Sequence, residues 1–161
     1  MRSWAILTLA GLAGLLGTSE AGAQASATSA QVKAVYELYT SQGCSSCPAA
    51  DELLTRLAKR DDVIALTLPV DYWDYLGWRD TLARPEFSTR QKAYAKALGD
   101  GMVYTPQAVV SGLAQINGSS EDKVDQAIER TAKLFADSRV PIKLSAAEGR
   151  LVIDVASAPD G

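Results

Sequence analysis

The two cysteines of the chain, Cys44 and Cys47, are separated by two serines. In an exported protein such a pair can form a disulfide, but the loop that it closes is so short that it constrains the unfolded chain little. We therefore consider redox chemistry, with an inert short-loop disulfide as the alternative. The nucleophile in thiol–disulfide exchange is the thiolate, which a helix N-terminus stabilises. Because a helix is predicted to begin at Pro48, we expect Cys44 to be the exposed attacking sulfur and Cys47 the buried resolving one.

The composition excludes several other kinds of chemistry. The chain has no histidine, which excludes an imidazole base, a His-liganded metal and a Ser-His-Asp triad. Two thiolates cannot complete a tetrahedral zinc site, so we expect neither a metal nor a cofactor. The formal net charge of -3 provides no basic surface for a phosphate backbone, so nucleic acid is not an expected partner.

The elements that must position the cysteines form a predicted strand–helix–strand unit. Residues Ala34–Tyr39 are β-branched and aromatic, as is typical of a strand, and they lead through a turn-rich loop to the cysteines. From Pro48 onward, leucines recur at helical spacing for about three turns. Val63–Val70 is a nearly continuous apolar run, which predicts a strand covered on both faces.

The second half of the chain predicts a helix, a hairpin and another helix. Pro85–Leu98 is predicted to be a helix that ends at Gly99. Gln107–Ser111 and Ala114–Asn117 are predicted to pair as an antiparallel hairpin. A third helix, capped by Ser119, is predicted to follow, with three apolar residues on one face: Val124, Ile128 and Leu134.

The dipeptide Thr105–Pro106 precedes the predicted hairpin. In the thioredoxin architecture, which has the same order of elements, a cis-proline loop at this place faces the cysteine pair, and its backbone pairs with an extended substrate. We therefore predict a cis bond before Pro106, with an ordinary trans turn as the alternative. An X–Pro bond is cis in only about 5–6% of cases in folded proteins, so this prediction is specific.

Three segments carry a resemblance to a known family: Glu37–Pro48 (ELYTSQGCSSCP), Val70–Trp78 (VDYWDYLGW) and Tyr104–Gln107 (YTPQ). They resemble a family of secreted bacterial and plant proteins that is defined as a domain of unknown function with a thioredoxin-like fold. The similarity covers most of residues 34–136. It implies an α/β fold in which helices flank a central mixed sheet. Members of this family usually continue into a longer β-rich C-terminal portion, of which a shortened copy is expected here.

Glu37 lies seven residues before Cys44, on a strand that is predicted to be central. If its side chain points beneath the cysteines, burial would raise its pKa and allow it to shuttle a proton from Cys47. The alternative is a strand-end carboxylate that is solvated or paired with Lys33. Together with Pro106, these residues are the candidate catalytic groups.

Asp71 follows the second predicted strand, at the edge of a parallel sheet where ligands gather in α/β folds. The aromatic residues after it either line a peptide groove or pack in the core, and core packing is expected for at least two of them: Tyr72, Trp73, Tyr75 and Trp78. The candidate substrate-binding residues are Asp71, Tyr72, Trp73 and Thr105.

The chain begins with a predicted secretory signal peptide, residues 1–23. An early arginine, a short uncharged run and a small-x-small triplet predict cleavage before Gln24, and a transmembrane anchor is the alternative. Residues 24–33 predict a flexible leader and residues 34–138 a thioredoxin-like domain. Residues 139–161 predict a hairpin, which is the start of a truncated β-rich module. We therefore expect a periplasmic or secreted protein.

These features support an exported thiol–disulfide oxidoreductase that acts on protein or peptide thiols and disulfides without a cofactor. The alternative is a non-catalytic peptide- or protein-binding module on the same scaffold, in which the disulfide is only rigid. A third hypothesis is capture of Cu(I) by the two thiolates, with help from Met102. It fits poorly, because the chain has no histidine and two methionines.

Overall fold

A computed structural model of the protein describes residues 26–28, 32–99, 101–147 and 149–158. The predicted signal peptide, residues 1–23, lies outside the described residues. The strands that it describes are β1 (Ser26–Thr28), β2 (Ala34–Thr40), β3 (Val63–Pro69), β4 (Gln107–Val110), β5 (Ala114–Asn117), β6 (Ile142–Ala147) and β7 (Arg150–Val155). The helices are α1 (Pro48–Leu57), α2 (Pro85–Leu98) and α3 (Glu121–Leu134), and Asp74–Leu76 forms a short 3-10 turn. In these ranges, no helix is both long and apolar enough to cross a membrane.

The central sheet has four strands in the order β3-β2-β4-β5. Strands β2 and β3 are parallel, as the predicted strand–helix–strand unit requires, and β4 is antiparallel to both β2 and β5. Helices α1 and α3 pack on one face of this sheet and α2 on the other. The predicted central mixed sheet flanked by helices is therefore confirmed, and the arrangement is consistent with a thioredoxin-like α/β fold.

The two faces of the sheet are covered unequally. Alternate residues of β2, starting with Ala34, face α1 and α3 and form the larger core cluster. This cluster contains Ala34, Tyr36, Leu38, Ala50, Leu53, Leu57, Val63, Ala108, Val110, Val124, Ala127 and Ile128. On the α2 face, the smaller cluster contains Tyr39, Val70 and Val109, with Leu68, Tyr72, Trp73 and Tyr94 packed against it.

The expectation that β3 is covered on both faces is wrong. Ile64 is 46% exposed and Leu66 43% exposed, and both lie on the α2 face because Val63 and Ala65 face α1. The cluster beside α2 reaches only Leu68 at the far end of the strand. A continuous apolar run does not reveal where the covering helix lies, and here α2 covers only one end of an edge strand.

Two details of α3 differ from the sequence prediction. Its N-cap residue is Ser120, and the Ser119 hydroxyl hydrogen-bonds the Asn117 side chain instead. Val124 and Ile128 are buried as predicted, but Leu134 is 60% exposed at the end of the helix. The buried stripe continues through Thr131, whose hydroxyl donates to the carbonyl of Ala127.

The second sheet has the order β1-β6-β7. The hairpin predicted near the C-terminus is confirmed as β6 and β7, which are antiparallel from Ile142 opposite Val155 onward. Residues 26–28 of the predicted flexible leader form β1, which pairs with β6. One face of the hairpin is apolar and exposed. On this face Leu144 and Ile153, which lie opposite each other, are 38% and 57% exposed.

Candidate functional site

A disulfide joins Cys44 and Cys47 immediately before α1, and their Cα atoms are 5.4 Å apart. Cys47 is the N-cap residue of α1, and Pro48 occupies its first turn, where no backbone N–H is needed. The sulfurs therefore lie at the helix end where unpaired N–H groups and the positive end of the dipole favour a thiolate.

Cys44 and Cys47 differ little in exposure. Cys47 is fully buried as predicted, but Cys44 is only 4% exposed, so the expectation of an exposed attacking sulfur is wrong for the oxidised protein. The cause is the tight turn before α1, in which the Cys44 N–H donates to the Ser41 carbonyl over 3.1 Å. The Cys44 sulfur also lies 3.5 Å from the Ser46 hydroxyl, and Ser46 itself is exposed. A partner would therefore approach the disulfide over the exposed serine side.

Residues 104–106, which we call the cis-proline loop, lie against residues 41–47, which we call the cysteine turn. The Thr105–Pro106 bond is cis, as predicted. The Ser46 hydroxyl approaches the Thr105 carbonyl oxygen to 3.5 Å, which links the segment between the cysteines to this distant loop. The Pro106 carbonyl accepts a hydrogen bond from the N–H of Gly118 over 3.0 Å, so the loop is fixed from behind by the end of β5.

Residues 71–80, which we call the aromatic loop, connect these two segments. The Trp73 indole N–H donates to the Thr105 hydroxyl over 2.8 Å. A Cβ atom at Gly43 would lie 3.1 Å from the Trp73 Cβ, so the cysteine turn and the aromatic loop are in close contact. The Trp78 indole N–H donates to the Gln42 side chain over 2.9 Å. The cysteine turn, the aromatic loop and the cis-proline loop thus meet at one edge of the sheet.

Asp80 anchors the aromatic loop although no sequence signal pointed to it. Its carboxylate is 3% exposed and accepts hydrogen bonds from the N–H groups of Gln42 and Leu82, both over 2.9 Å. Beyond this anchor, Tyr75 is 78% and Trp78 61% exposed. Tyr72 and Trp73 are instead half-buried against the smaller core cluster, so two of the four aromatic residues pack in the core, as expected.

Glu37 is buried, but its partners are not those expected. Both oxygens of its carboxylate accept hydrogen bonds from Arg90, over 2.6 and 2.8 Å. The Tyr94 and Tyr39 hydroxyls donate to the same carboxylate over 2.9 and 3.3 Å. Burial acts to raise the pKa of Glu37, but these hydrogen bonds and the Arg90 charge together lower it.

The expectation of a raised pKa at Glu37 is therefore wrong. Glu37 lies on the α2 face of β2, because its neighbours Tyr36 and Leu38 face α1. The cysteines are carried by α1 on the other side of the sheet. The alternative, a strand-end carboxylate that is solvated or paired with Lys33, is also wrong, since Glu37 is buried and Lys33 forms its ion pairs with Asp62 and Glu129.

Asp71 is tied to α2. Its carboxylate accepts a hydrogen bond from the Ser88 hydroxyl over 2.5 Å. The Asp71 N–H in turn donates to the Ser88 hydroxyl oxygen over 3.3 Å. The structure therefore brings Trp73 and Thr105 to the disulfide, whereas Asp71 is already engaged with the first turn of α2. Tyr72 lies between these positions, and burial raises the pKa of its phenol.

A chain of glutamine amides supports the cis-proline loop and was not foreseen. Gln91 of α2 donates to the Tyr104 carbonyl over 2.8 Å and to the Gln107 side chain over 2.7 Å. Gln107 in turn donates to the Gln115 side chain over 3.1 Å. Gln91 and Gln107 are each 1% exposed, so these hydrogen bonds fix the loop through the protein interior.

Asp51 is a carboxylate in the first turn of α1 that the sequence analysis did not select. It lies one helical turn after Cys47 and is half-buried. Burial raises its pKa, the Thr40 hydroxyl lowers it, and the negative charge of Asp80 raises it further. The net shift is upward, opposite to that of Glu37.

Comparisons with known proteins give a family and a similar solved structure. The model of a family described as "Protein of unknown function (DUF1223)" matches residues 35–161. Among solved structures, a crystal structure of protein AGR_C_4864 from Agrobacterium tumefaciens is similar, with 32% sequence identity and a TM-score of 0.60. The match covers 80% of this chain and 71% of that chain. A comparison with curated proteins found no match.

Proposed function

The chain belongs to the family of proteins of unknown function DUF1223, and we propose that this member is a thioredoxin-like thiol–disulfide oxidoreductase. The observation that carries the proposal is the meeting of three features. The Cys44–Cys47 disulfide lies at the start of α1, and the cis Thr105–Pro106 loop lies against the segment between the cysteines. A helix N-terminus stabilises the thiolate that exchange requires.

The reaction of the oxidised protein needs no group beyond the two sulfurs and a dithiol substrate. A substrate thiolate attacks the Cys44 sulfur, the Cys44–Cys47 bond breaks, and Cys47 leaves as a thiolate that takes up a proton. The second substrate thiolate then attacks the substrate sulfur of the mixed disulfide and displaces Cys44 as a thiolate. The substrate loses two electrons to form its disulfide, and the protein gains them. The reverse sequence reduces a substrate disulfide.

The neighbourhood of the disulfide supports a polypeptide substrate. Thr105 belongs to the cis-proline loop, which lies against Ser46, and we expect the backbone of this loop to pair with an extended chain. The aromatic loop and the segment before the cis-proline loop contain exposed apolar residues: Tyr75, Leu76, Trp78, Met102 and Val103. Such residues contact apolar side chains of an unfolded or extended protein.

The environment of the protein fits this reaction. A disulfide between Cys44 and Cys47 indicates an oxidising compartment, since thiols in the cytosol are kept reduced. Export through the signal peptide proposed for residues 1–23 would bring the chain to such a compartment. The limits proposed for the thioredoxin-like domain, residues 34–138, contain all the site residues discussed here.

One observation favours a second candidate function. Cys44 is 4% exposed, whereas Tyr75 and Trp78 are among the most exposed aromatic residues of the described chain. A rigid disulfide beneath an exposed aromatic loop would suit a module that binds peptides without exchange. The two functions differ in whether the Cys44 sulfur reacts.

The deciding experiment measures exchange and the reduction potential of the cysteine pair. The purified protein is assayed for reduction of insulin by dithiothreitol, with Cys44→Ser as the inactive variant and Ser45→Ala as the matched control. Oxidoreductase function predicts turnover that Cys44→Ser abolishes and Ser45→Ala retains. A potential below about -300 mV, together with no turnover, would indicate a structural bond and leave the binding module as the function.

A further inference from the structure

The end of the central sheet that α2 leaves uncovered borders a cavity of about 600 Å³. This volume is in the usual range of sites for small organic molecules. The cavity is lined by residues from β2, β3, α2, the turn between β4 and β5 and the segment after α3, among them Val35, Ile64, Tyr94, Gly112, Phe135 and Ile142. Neither cysteine lines it, so a ligand bound here would not depend on thiol–disulfide exchange.

Most of the cavity wall is apolar. Val35 and Ile64 are register partners of the parallel β2–β3 pair, and both side chains lie on the α2 face. Phe135, Val140 and Ile142 line the cavity from the segment after α3. Ile64 and Ile142 are both exposed, so an apolar ligand would remove their apolar surface from water.

Three charged side chains also line the cavity: Lys33, Glu37 and Arg139. The charge of Lys33 is matched by two carboxylates, and that of Glu37 is matched by Arg90. None of the ion pairs in the described ranges includes Arg139, which is half-buried. The remaining charge on the wall is therefore that of Arg139, and it is positive.

The Arg139 guanidinium is held in place by the backbone before β2. Its Nη1 and Nη2 atoms donate to the carbonyls of Val32 and Lys33. These neutral acceptors orient the guanidinium but leave its charge uncompensated. A guanidinium carries five N–H donors in a planar fork, so others remain for a carboxylate.

We propose that this cavity binds an apolar carboxylic acid of the fatty-acid type, with its carboxylate at Arg139 and its chain against Val35 and Ile64. A guanidinium and a carboxylate form charge-assisted hydrogen bonds, which are stronger than neutral ones. The apolar wall adds affinity with each methylene that it removes from water. Such a ligand uses both features of the cavity, the uncompensated cation and the apolar wall.

Other classes of ligand match only one of these features. A cationic amphiphile would bring a second positive charge to Arg139. A neutral apolar molecule would remove the same cation from water without giving it a partner. A small inorganic anion would leave the apolar wall in contact with water. The charge on the wall therefore selects an acid, and the apolar surface selects one with a hydrocarbon chain.

The test uses the purified, oxidised protein and dansylaminoundecanoic acid, a carboxylic acid whose fluorescence rises in apolar surroundings. We expect saturable binding of this probe and its displacement by octanoate, decanoate and dodecanoate. Each added methylene should tighten binding by up to about fourfold until the cavity is filled. Dodecyltrimethylammonium, which has the chain length of dodecanoate but a cationic head, should displace the probe at least about tenfold less well. Absence of probe binding, or equal displacement by these two amphiphiles, would overturn the proposal.

A first pair of variants tests the cation. Arg139→Gln should raise the dissociation constant of dodecanoate by at least about tenfold, because hydrogen bonds to charged groups are strong. Arg139→Lys keeps the charge and should recover part of the affinity. The matched control is Arg130→Gln, which removes an exposed arginine of α3 and should leave the constant unchanged. Equal effects of Arg139→Gln and Arg130→Gln would show that Arg139 does not bind the carboxylate.

A second pair tests the apolar wall, since the backbone hydrogen bonds of Arg139 also hold the segment after α3. Ile64→Gln should weaken dodecanoate binding about fivefold through lost apolar contact. Leu66→Gln is the matched control, because Leu66 is similarly exposed on the same face of β3 but does not line the cavity. Equal effects of the two would place the chain elsewhere and overturn the proposal. Sedimentation of the protein without ligand provides a further check, because a dimer that Ile64→Gln dissociates would mean that a second copy covers this wall instead.

Discussion

The two faces of the central sheet each contain a carboxylate that is partly or wholly removed from water, and the two are balanced in opposite ways. On the α2 face, Glu37 is held by Arg90, Tyr94 and Tyr39. On the α1 face, the Thr40 hydroxyl and the Asp80 carboxylate act on Asp51, and none of the ion pairs among the described residues includes it. Burial acts on both in the same direction, and the partners decide the outcome. The pKa of Glu37 is lowered and that of Asp51 is raised.

This difference separates a carboxylate that is paired with a cation from one that is not included in any ion pair of the described residues. The Glu37–Arg90 pair fixes α2 to the strand that leads to the cysteines, and its charge is constant near neutral pH. Burial and the nearby Asp80 carboxylate instead raise the pKa of Asp51. Glu37 is buried more deeply than Asp51, yet the pKa of Asp51 is the one that is raised, because the partners of the two carboxylates differ. Three substitutions test this comparison, in addition to the experiments on exchange.

The largest expected effect is that of Arg90→Met. The substitution leaves the Glu37 carboxylate, which is 5% exposed, without its cation, so we expect a loss of about 3 kcal/mol in the free energy of unfolding near pH 7. The pKa of Glu37 is lowered by folding, so its stabilising contribution is present above the unfolded-state pKa and is lost as pH falls through the folded-state pKa. The cost of the substitution should therefore shrink below about pH 4. Urea unfolding at several pH values measures it.

The matched control is Lys92→Met on the exposed side of the same helix, which should change the stability by less than about 0.5 kcal/mol. If Arg90→Met proved as mild as this control near pH 7, Glu37 would not depend on its cation. The contrast between the two carboxylates would then fail.

The second effect concerns the packing on the α1 face, with Gly118→Ala. A Cβ atom at this position would lie 2.5 Å from Leu38 Cδ1 and 3.2 Å from the Tyr36 hydroxyl, both of which belong to buried side chains. We expect a loss of about 2 kcal/mol from overpacking. In a Leu38→Val background, which removes the contacting methyl group, the same substitution should cost less. Equal costs in the two backgrounds would show that the contact is not the cause.

The smallest effect has the opposite sign. Folding raises the pKa of Asp51, so its contribution to stability is fully present below its unfolded-state pKa and is lost as pH rises through the folded-state pKa. Asp51→Asn removes this loss, and we expect the variant to be more stable than the wild type by about 1 kcal/mol near pH 7. At pH 3 the two should be equally stable. Thermal unfolding at both pH values compares them, and a variant destabilised near pH 7 would contradict the raised pKa.

The elements of the fold could be predicted well from the sequence. The helix at Pro85–Leu98 has a proline in its first turn and ends at Gly99, whose φ is 87°. These are local signals, because a proline fixes its own backbone and glycine adopts the left-handed region without strain. The cysteine pair before Pro48 was found in the same way, from residue types at short spacing. The cis bond before Pro106 was instead predicted from the order of elements that the chain shares with the thioredoxin architecture.

Errors arose where the outcome depends on residues far apart in the chain. Arg90 is separated from Glu37 by more than fifty positions, so no periodicity reveals that they pair. The exposure of Ile64 depends on how far α2 extends across the sheet, and the burial of Cys44 depends on the turn that leads into α1. Asp51 looked like an ordinary first-turn acidic residue, which the helix dipole favours anywhere.

The sequence by itself determined the order of the strands and helices between residues 34 and 134, the spacing of the two cysteines and the absence of any histidine. Those properties follow from local backbone preferences and from side-chain chemistry, which do not require a tertiary structure. Only the tertiary structure decided which carboxylate is paired and which is not. The pKa of a buried group depends on the charges within a few ångströms of it, and folding alone brings those charges together.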